Sequence, residues 1–158
     1  NILAQEARGD ILVHMDDDDF YPSTRVSHAV DRLLQNDKLI AGASMCYFYN
    51  TLNQTITIGG PFGPNHGTAG TFAYFKEYIK THAFSDEANA QEEPLFTNGF
   101  TSPMVQLDPK LTMLIIQHLQ NTWDKSKTSM RPTAFKPQDF IKQMNDRRFY
   151  KKLSKTTT

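Results

Sequence analysis

Cysteine is almost absent from this 158-residue chain. Cys46 stands alone, so no internal disulfide can form, and a reducing, cytoplasmic setting is expected. Excess charge of either sign is also absent. Lys plus Arg and Asp plus Glu come to 17 each, for a formal net charge of zero. That removes the global positive field expected of a nucleic-acid binder. No apolar run approaches the roughly 20 residues of a membrane span, and no signal-peptide pattern opens the chain. Internal repeats are lacking. The phosphate-cradling pattern GxxxxGK[ST] is lacking too, which excludes a P-loop nucleotide site. The length is enough for one domain with a real core.

What is present alternates between strand and helix signals, which argues for an α/β fold. Ile11 to Met15 reads as a short central strand, since near-continuous apolar residues mark strands buried on both faces. Val26, Val30, Leu33 and Leu34 give helical spacing over 23–36, with Ser23 as N-cap. Two strands, 39–49 and 54–58, are expected around the turn "NTLN". "GGPFGPNHGTAG", residues 59–70, is a Gly/Pro-rich loop too long for a tight turn, and such loops are often functional. Residues 72–80 suit strand or helix equally, and 104–107 and 111–119 read as strands. "PQDFIKQMNDRRFYKKL" has the pattern of one amphipathic helix. The chain opens on "NILAQEARGD", which reads as the last turns of a helix with Gly9 as its C-terminal cap. A piece of a longer chain is therefore expected.

The most informative stretch is "ILVHMDDDDFYP", residues 11–22. Four consecutive carboxylates repel one another, yet they follow a buried-looking strand. In extended backbone Asp16 and Asp18 share one side and Asp17 and Asp19 the other. In open α/β sheets ligands sit beyond the carboxyl ends of strands. Two carboxylates there are hard ligands for a hard divalent cation, whose open positions diphosphate oxygens commonly fill. A solvated acidic turn or a weak calcium site is the plainer alternative.

"ARGDILVHMDDDDFYP" resembles the nucleotide-sugar glycosyltransferases of the GT-A fold, whose DxD signature closes a strand in this way. It is most similar to the large inverting family that contains cellulose, chitin and hyaluronan synthases. Four Asp followed by aromatic-Tyr-Pro resembles enzymes encoded by large DNA viruses. The resemblance implies a GT-A-like mixed, mainly parallel sheet flanked by helices, with the N-terminal nucleotide-binding half incomplete. It implies a core over residues 1–124 and a basic, partly helical extension or linker over 125–158. It further implies Mn²⁺ or Mg²⁺, a UDP-sugar donor and a glycan or glycoconjugate acceptor. Asp18 would be the main metal ligand, Asp16 would face metal and ribose, and Arg8 would approach the nucleotide. An Arg at a helix C-terminus is equally explained by the macrodipole.

Other candidates complete this site. "QEEPLF", residues 91–96, looks like the family's acidic pair, with Glu93 as the base and Glu92 supporting it. Inverting transfer needs a base to take the acceptor's proton. Pro94 disfavours α geometry at Glu93 and suits the first helical position. Acids at a helix N-terminus also arise for dipole reasons alone. Asp86 is a further candidate base. His118 follows the apolar run 111–116 and fits the downstream histidine that completes the metal shell in many GT-A enzymes. A satisfied structural histidine is the alternative. Asn121, Thr122 and Lys125 are free to reach phosphate oxygens, and Trp123 could stack on a sugar or base. In the glycine-rich loop His66, Gly67, Thr68 and Gly70 are candidates for contact with sugar or diphosphate. With Asp17 they complete the expected nucleotide-sugar contacts.

The family's Gln-x-x-Arg-Trp motif of processive synthases is missing, which favours transfer of a single sugar. The basic tail could touch anionic lipid, making the chain membrane-peripheral. Two other classes stay open, a metal-dependent nucleotidyltransferase and a non-catalytic carbohydrate- or nucleotide-binding module.

Overall fold

The structure is a computed structural model that describes residues 1–84, 92–118 and 129–152. Its strands form two four-stranded mixed sheets flanked by helices, as the α/β expectation requires. Of the six strand pairs, two are parallel and four antiparallel. The mainly parallel sheet that the resemblance implies is therefore not found among the described residues: one antiparallel pair, Cys46–Asn50 with Thr55–Gly59, is a hairpin, and the others join strands distant in sequence.

The first sheet has the order β1 (Ile11–Val13), β5 (Ala73–Phe75), β2 (Ile40–Gly42), β6 (Met104–Gln106). Here β1 is an end strand and not a central one. Among the described residues β5 is its one hydrogen-bonded neighbour strand, and its three residues are half-buried. Side chains alternate across the sheet. Ala41 and Ala73 face α2 (Arg25–Leu34), packing with Ala29, Leu33 and Val105, while Ile40 and Tyr74 join Phe72, Tyr78, Phe96 and Met104 on the other side. On α2 the buried stripe is Arg25, Ala29 and Leu33, and Val26 and Leu34 are exposed. The helix starts after Thr24, without the expected Ser23 cap.

The second sheet has the order β7 (Leu114–Gln117), β3 (Cys46–Asn50), β4 (Thr55–Gly59), β8 (Met130–Pro132). Residues 39–49, expected as one strand, divide at Ala43–Met45 into β2 and β3, which serve different sheets. Side chains hold this corner. Ala43 N–H donates to Thr71 Oγ1 (3.0 Å) and Ser44 N–H to Gln106 Oε1 (2.9 Å). A Cβ on Gly60, at φ +83°, would lie 2.2 Å from Ser44 O, so only glycine fits there.

Other boundaries moved for similar reasons. Residues 111–119 contain the end of α4 (Pro109–Thr112), capped by the Asp108 side chain on Lys110 N–H, before β7 begins. Residues 72–80 are β5 followed by a 3₁₀ segment, Lys76–Lys80. The N-terminal helix α1 (Ile2–Glu6) ends at an extended Ala7, and Gly9 has no left-handed φ, so no glycine cap exists. The expected single C-terminal helix is broken into α5 (Pro137–Phe140) and α6 (Met144–Lys152). This stretch packs on the second sheet: Phe140 and Ile141 are buried with Tyr49, Ile56, Leu114 and Ile116, and β8 pairs with β4. No helix among the described residues is long and apolar enough to cross a membrane.

Candidate functional site

β1 ends at Val13, and of the four aspartates Asp17 and Asp18 lie in a turn and Asp19 in a bend, so the run is not a continuing strand. Strand alternation therefore does not govern them, and each carboxylate has its own surroundings. Beneath them lies Arg25, 1 % exposed, whose Nη2 donates to the carbonyls of His14 (3.1 Å) and Phe72 (2.9 Å). Burial lowers its pKa to about 10, so it stays charged at neutral pH. A buried cation thus ties the end of β1 to the residue before β5, while its Nε and Nη1 have no hydrogen-bond partner among the described residues.

Tyr21 fixes the start of the acidic turn. Its hydroxyl accepts the Asp16 N–H (2.8 Å) and donates to Gly70 O (3.2 Å), and burial raises its pKa, keeping it a donor. Asp16 consequently lies against the glycine-rich loop: a Cβ on Gly70 would stand 2.5 Å from Asp16 Oδ2. Asp19 anchors the other end. Its Oδ1 accepts the Ile116 N–H of β7 (2.6 Å), and Phe20 forms a bridge with Leu114. Tyr150 of α6 donates its hydroxyl to Asp19 O (3.2 Å). Asp17 is exposed.

With the turn stitched to β7, the residue after that strand meets it. His118 Nε2 lies 3.5 Å from Asp18 Oδ2; the imidazole is 8 % exposed and the carboxylate 46 %. The pair fits a divalent cation, because adjacent ligands around an octahedral ion stand about 3 Å apart. Among the described residues no group of three or more His, Cys, Asp or Glu side chains is assembled as a metal site. An ion held by so few protein ligands keeps positions for diphosphate oxygens.

Glu93 also contacts the glycine-rich loop. It is the first residue of α3 (Glu93–Phe96), one position earlier than the Pro94 start expected. Its Oε1 accepts the Ala69 N–H (3.2 Å). Asp16 and Glu93 therefore contact consecutive residues, Gly70 and Ala69, which lie in a 3₁₀ turn Ala69–Thr71. His66 is near enough to Glu93 for that carboxylate to oppose the fall in imidazole pKa that burial causes. Gly67 is packed where a Cβ would strike Phe72 at 2.9 Å.

The remaining candidates are less engaged. The Thr68 hydroxyl is 3.6 Å from the buried Cys46 Sγ, which turns it inward. Glu92 is the half-buried N-cap of α3, and its side chain makes no cap bond. Arg8 is exposed between α1 and β1. Asp86, Asn121, Thr122, Trp123 and Lys125 lie outside the described residues. The sequence reading missed Tyr21 and Arg25. The signal for Arg25 was its place on the stripe 25, 29, 33. For Tyr21 it was the aromatic pair that immediately follows the acidic run.

A family model described as "Glycosyl transferase family 2" matches residues 1–91, more than half of the chain. The chain belongs to that family. No curated protein and no solved structure matches it. The family assignment makes the chain a glycosyltransferase domain with a GT-A-like fold, a nucleotide-sugar donor and a glycan acceptor in general terms. The matched span includes the acidic turn and the glycine-rich loop of the glycosyltransferase. Glu92, Glu93 and His118 lie beyond it and rest on the geometry above.

Proposed function

We propose that this glycosyltransferase moves one sugar from a UDP-sugar to a hydroxyl of a glycan or glycoconjugate, with inversion at the anomeric carbon. The observation that carries this reading is that two carboxylates, Glu93 and Asp16, meet consecutive residues of one loop, Ala69 and Gly70. Asp18 and His118 would hold Mn²⁺ or Mg²⁺, and Asp16, expected as a further ligand, is not gathered with them into a three-ligand group. The ion would neutralise charge on the diphosphate leaving group.

Glu93 is the base. The Ala69 N–H holds one of its oxygens, and the other can take the proton of the acceptor hydroxyl. The acceptor oxygen bonds to the anomeric carbon as the bond from that carbon to the diphosphate breaks, and the electron pair leaves on UDP. Glu92, at the head of α3, supports the base. Holding Glu93 by a backbone N–H limits its motion, which favours attack from one side.

A UDP-release assay with Mn²⁺ and a panel of sugar donors tests this reading. Glu93→Gln keeps the acceptor for Ala69 N–H, so the fold and UDP binding persist while turnover falls about 10²- to 10⁴-fold. Asp18→Ala loses metal-dependent UDP binding itself. Unaltered turnover in both variants would exclude these roles. Pyrophosphate as the released product would instead indicate nucleotidyl transfer.

A further inference from the structure

Three rings meet at His66, which lies near Glu93, and take no part in the chemistry above. The His66 imidazole stacks on Phe100, with centroids 4.4 Å apart and planes at 20°. Phe62 also leans on His66, at 5.0 Å and 48°, and it is 46 % exposed. His66 and Phe100 are half-buried. The cluster therefore presents ring surface outward and does not close into the core.

Both walls of this cluster are held in place. Phe62 N–H donates to Ser44 O (3.1 Å), and the Gln106 amide donates to Pro64 O (2.8 Å) and His66 O (3.0 Å). On the other wall Asn98, Gly99 and Phe100 have φ of 49°, 68° and 61°, three left-handed residues in succession. That conformation is unfavourable for an aromatic residue and persists only when its surroundings impose it. Gly99 N–H to Pro94 O (2.6 Å) and Phe100 N–H to Thr97 Oγ1 (3.2 Å) impose it here. The result places the Phe100 ring on His66, and that half-exposed position returns little burial for the strain. Such outliers cluster at ligand-binding sites.

The rings are continuous with the site. Glu93 begins the helix that leads into the strained turn, and its carboxylate is held by Ala69, three residues beyond His66. Pyranoses carry an apolar C–H face that packs on aromatic rings, whereas their hydroxyl edges need polar partners. We propose that Phe62, His66 and Phe100 form the acceptor platform, receiving the apolar face of a pyranose whose hydroxyl reaches Glu93. This rests on the glycosyltransferase reading with Glu93 as base.

Saturation-transfer NMR tests it with methyl glycosides of glucose, galactose, mannose and N-acetylglucosamine, in the absence of nucleotide. The native chain passes saturation to the C–H protons of one ring face of at least one glycoside. Phe62→Ala and Phe100→Asn each reduce that signal at least fivefold; Asn tolerates a left-handed φ, so the turn survives. Where transfer is measurable, KM for the same glycoside rises about tenfold. Titration of UDP with Mn²⁺ is the separate donor arm. A ring-dependent glycoside signal without UDP binding upholds the platform and rejects the donor assignment. UDP binding with a glycoside signal that is absent, or equal in all three proteins, overturns the platform alone.

Discussion

Gly70→Ala isolates the contact on which the proposed nucleotide site depends. The added methyl would stand 2.5 Å from Asp16 Oδ2, and 3.0 Å from both Met113 Sδ and Tyr21 Oη. Gly70 has no left-handed φ, so the backbone accepts alanine and the effect comes from the methyl. Asp16 is exposed, and its carboxylate can swing toward water at little cost, retreating by about 1 Å to reach ordinary contact distance. Tyr21 and Met113 must also yield. Overpacking of this kind costs about 1–2 kcal/mol, which lowers Tm by about 2–8 °C. The functional loss is larger in proportion. A displacement of about 1 Å at a reacting centre costs on the order of a hundredfold. Calorimetric titration of UDP with Mn²⁺, UDP release and thermal melting measure the three effects on one sample. A folded G70A with native UDP affinity and turnover would refute the placement of the Asp16 carboxylate in the nucleotide site.

Asp19→Ala removes a charge-assisted hydrogen bond to the Ile116 N–H and costs about 1.5–3 kcal/mol of stability, whereas Asp17→Ala stays within about 0.5 kcal/mol; equal losses in chemical denaturation would contradict the division between them. His118→Ala weakens Mn²⁺ binding at least about tenfold, read by the electron spin resonance of the free ion, and an unchanged affinity removes His118 from the metal shell. Stability also falls on acidification. Burial holds His14 at about 4, and holds His28 and His66 below 6.5. The unfolded chain takes up protons near pH 6.5 before the folded chain does, so stability is complete above that pH and declines below it. His14 alone accounts for about 2 kcal/mol by pH 5, and His14→Gln flattens the curve of Tm against pH between 7.5 and 5. A variant as pH-sensitive as the native chain would contradict the buried, neutral state of His14.

Legibility in the sequence tracked how local each determinant was. The apolar run 11–13, the amphipathic 25–34 stretch and the Asn50–Asn53 turn are fixed by residues near in sequence, and they appear about where patterning places them. Patterning failed where a distant side chain ends an element. The run 39–49 looks continuous, but Thr71, Gln106 and Gly60 grip Ala43 and Ser44 and turn the chain into a second sheet. The acidic run was misread as extended for the same reason, because Tyr21 and the distant Ile116 N–H bend it. The motif itself was legible, since four adjacent carboxylates need an explanation wherever they occur. The proximity of His118 to Asp18 and of Glu93 to Ala69 is a product of the two-sheet arrangement. It follows from no spacing in the chain.

The repulsion among four adjacent carboxylates is relieved in parts and not by one device. Asp19 gives its charge to a backbone N–H, which satisfies it without a cation. Arg25 places a positive charge below the turn, but its donated hydrogen bonds go to the His14 and Phe72 carbonyls. The guanidinium therefore supplies field without capturing an aspartate. A direct ion pair would have occupied the carboxylate and fixed it downward. Carbonyl anchoring leaves the outer face of the turn to its acids, with Asp17 and Asp18 exposed and Asp16 against the loop. Among the described residues, the one buried charge of Arg25 does not balance the carboxylates of Asp16, Asp17 and Asp18. Such a site attracts a divalent cation and repels a bare diphosphate. On the proposed reading the order of binding follows from this sign: the cation, alone or already carried by the nucleotide, would have to arrive for the diphosphate to dock. UDP without a divalent ion should therefore bind at least tenfold more weakly than UDP with Mn²⁺.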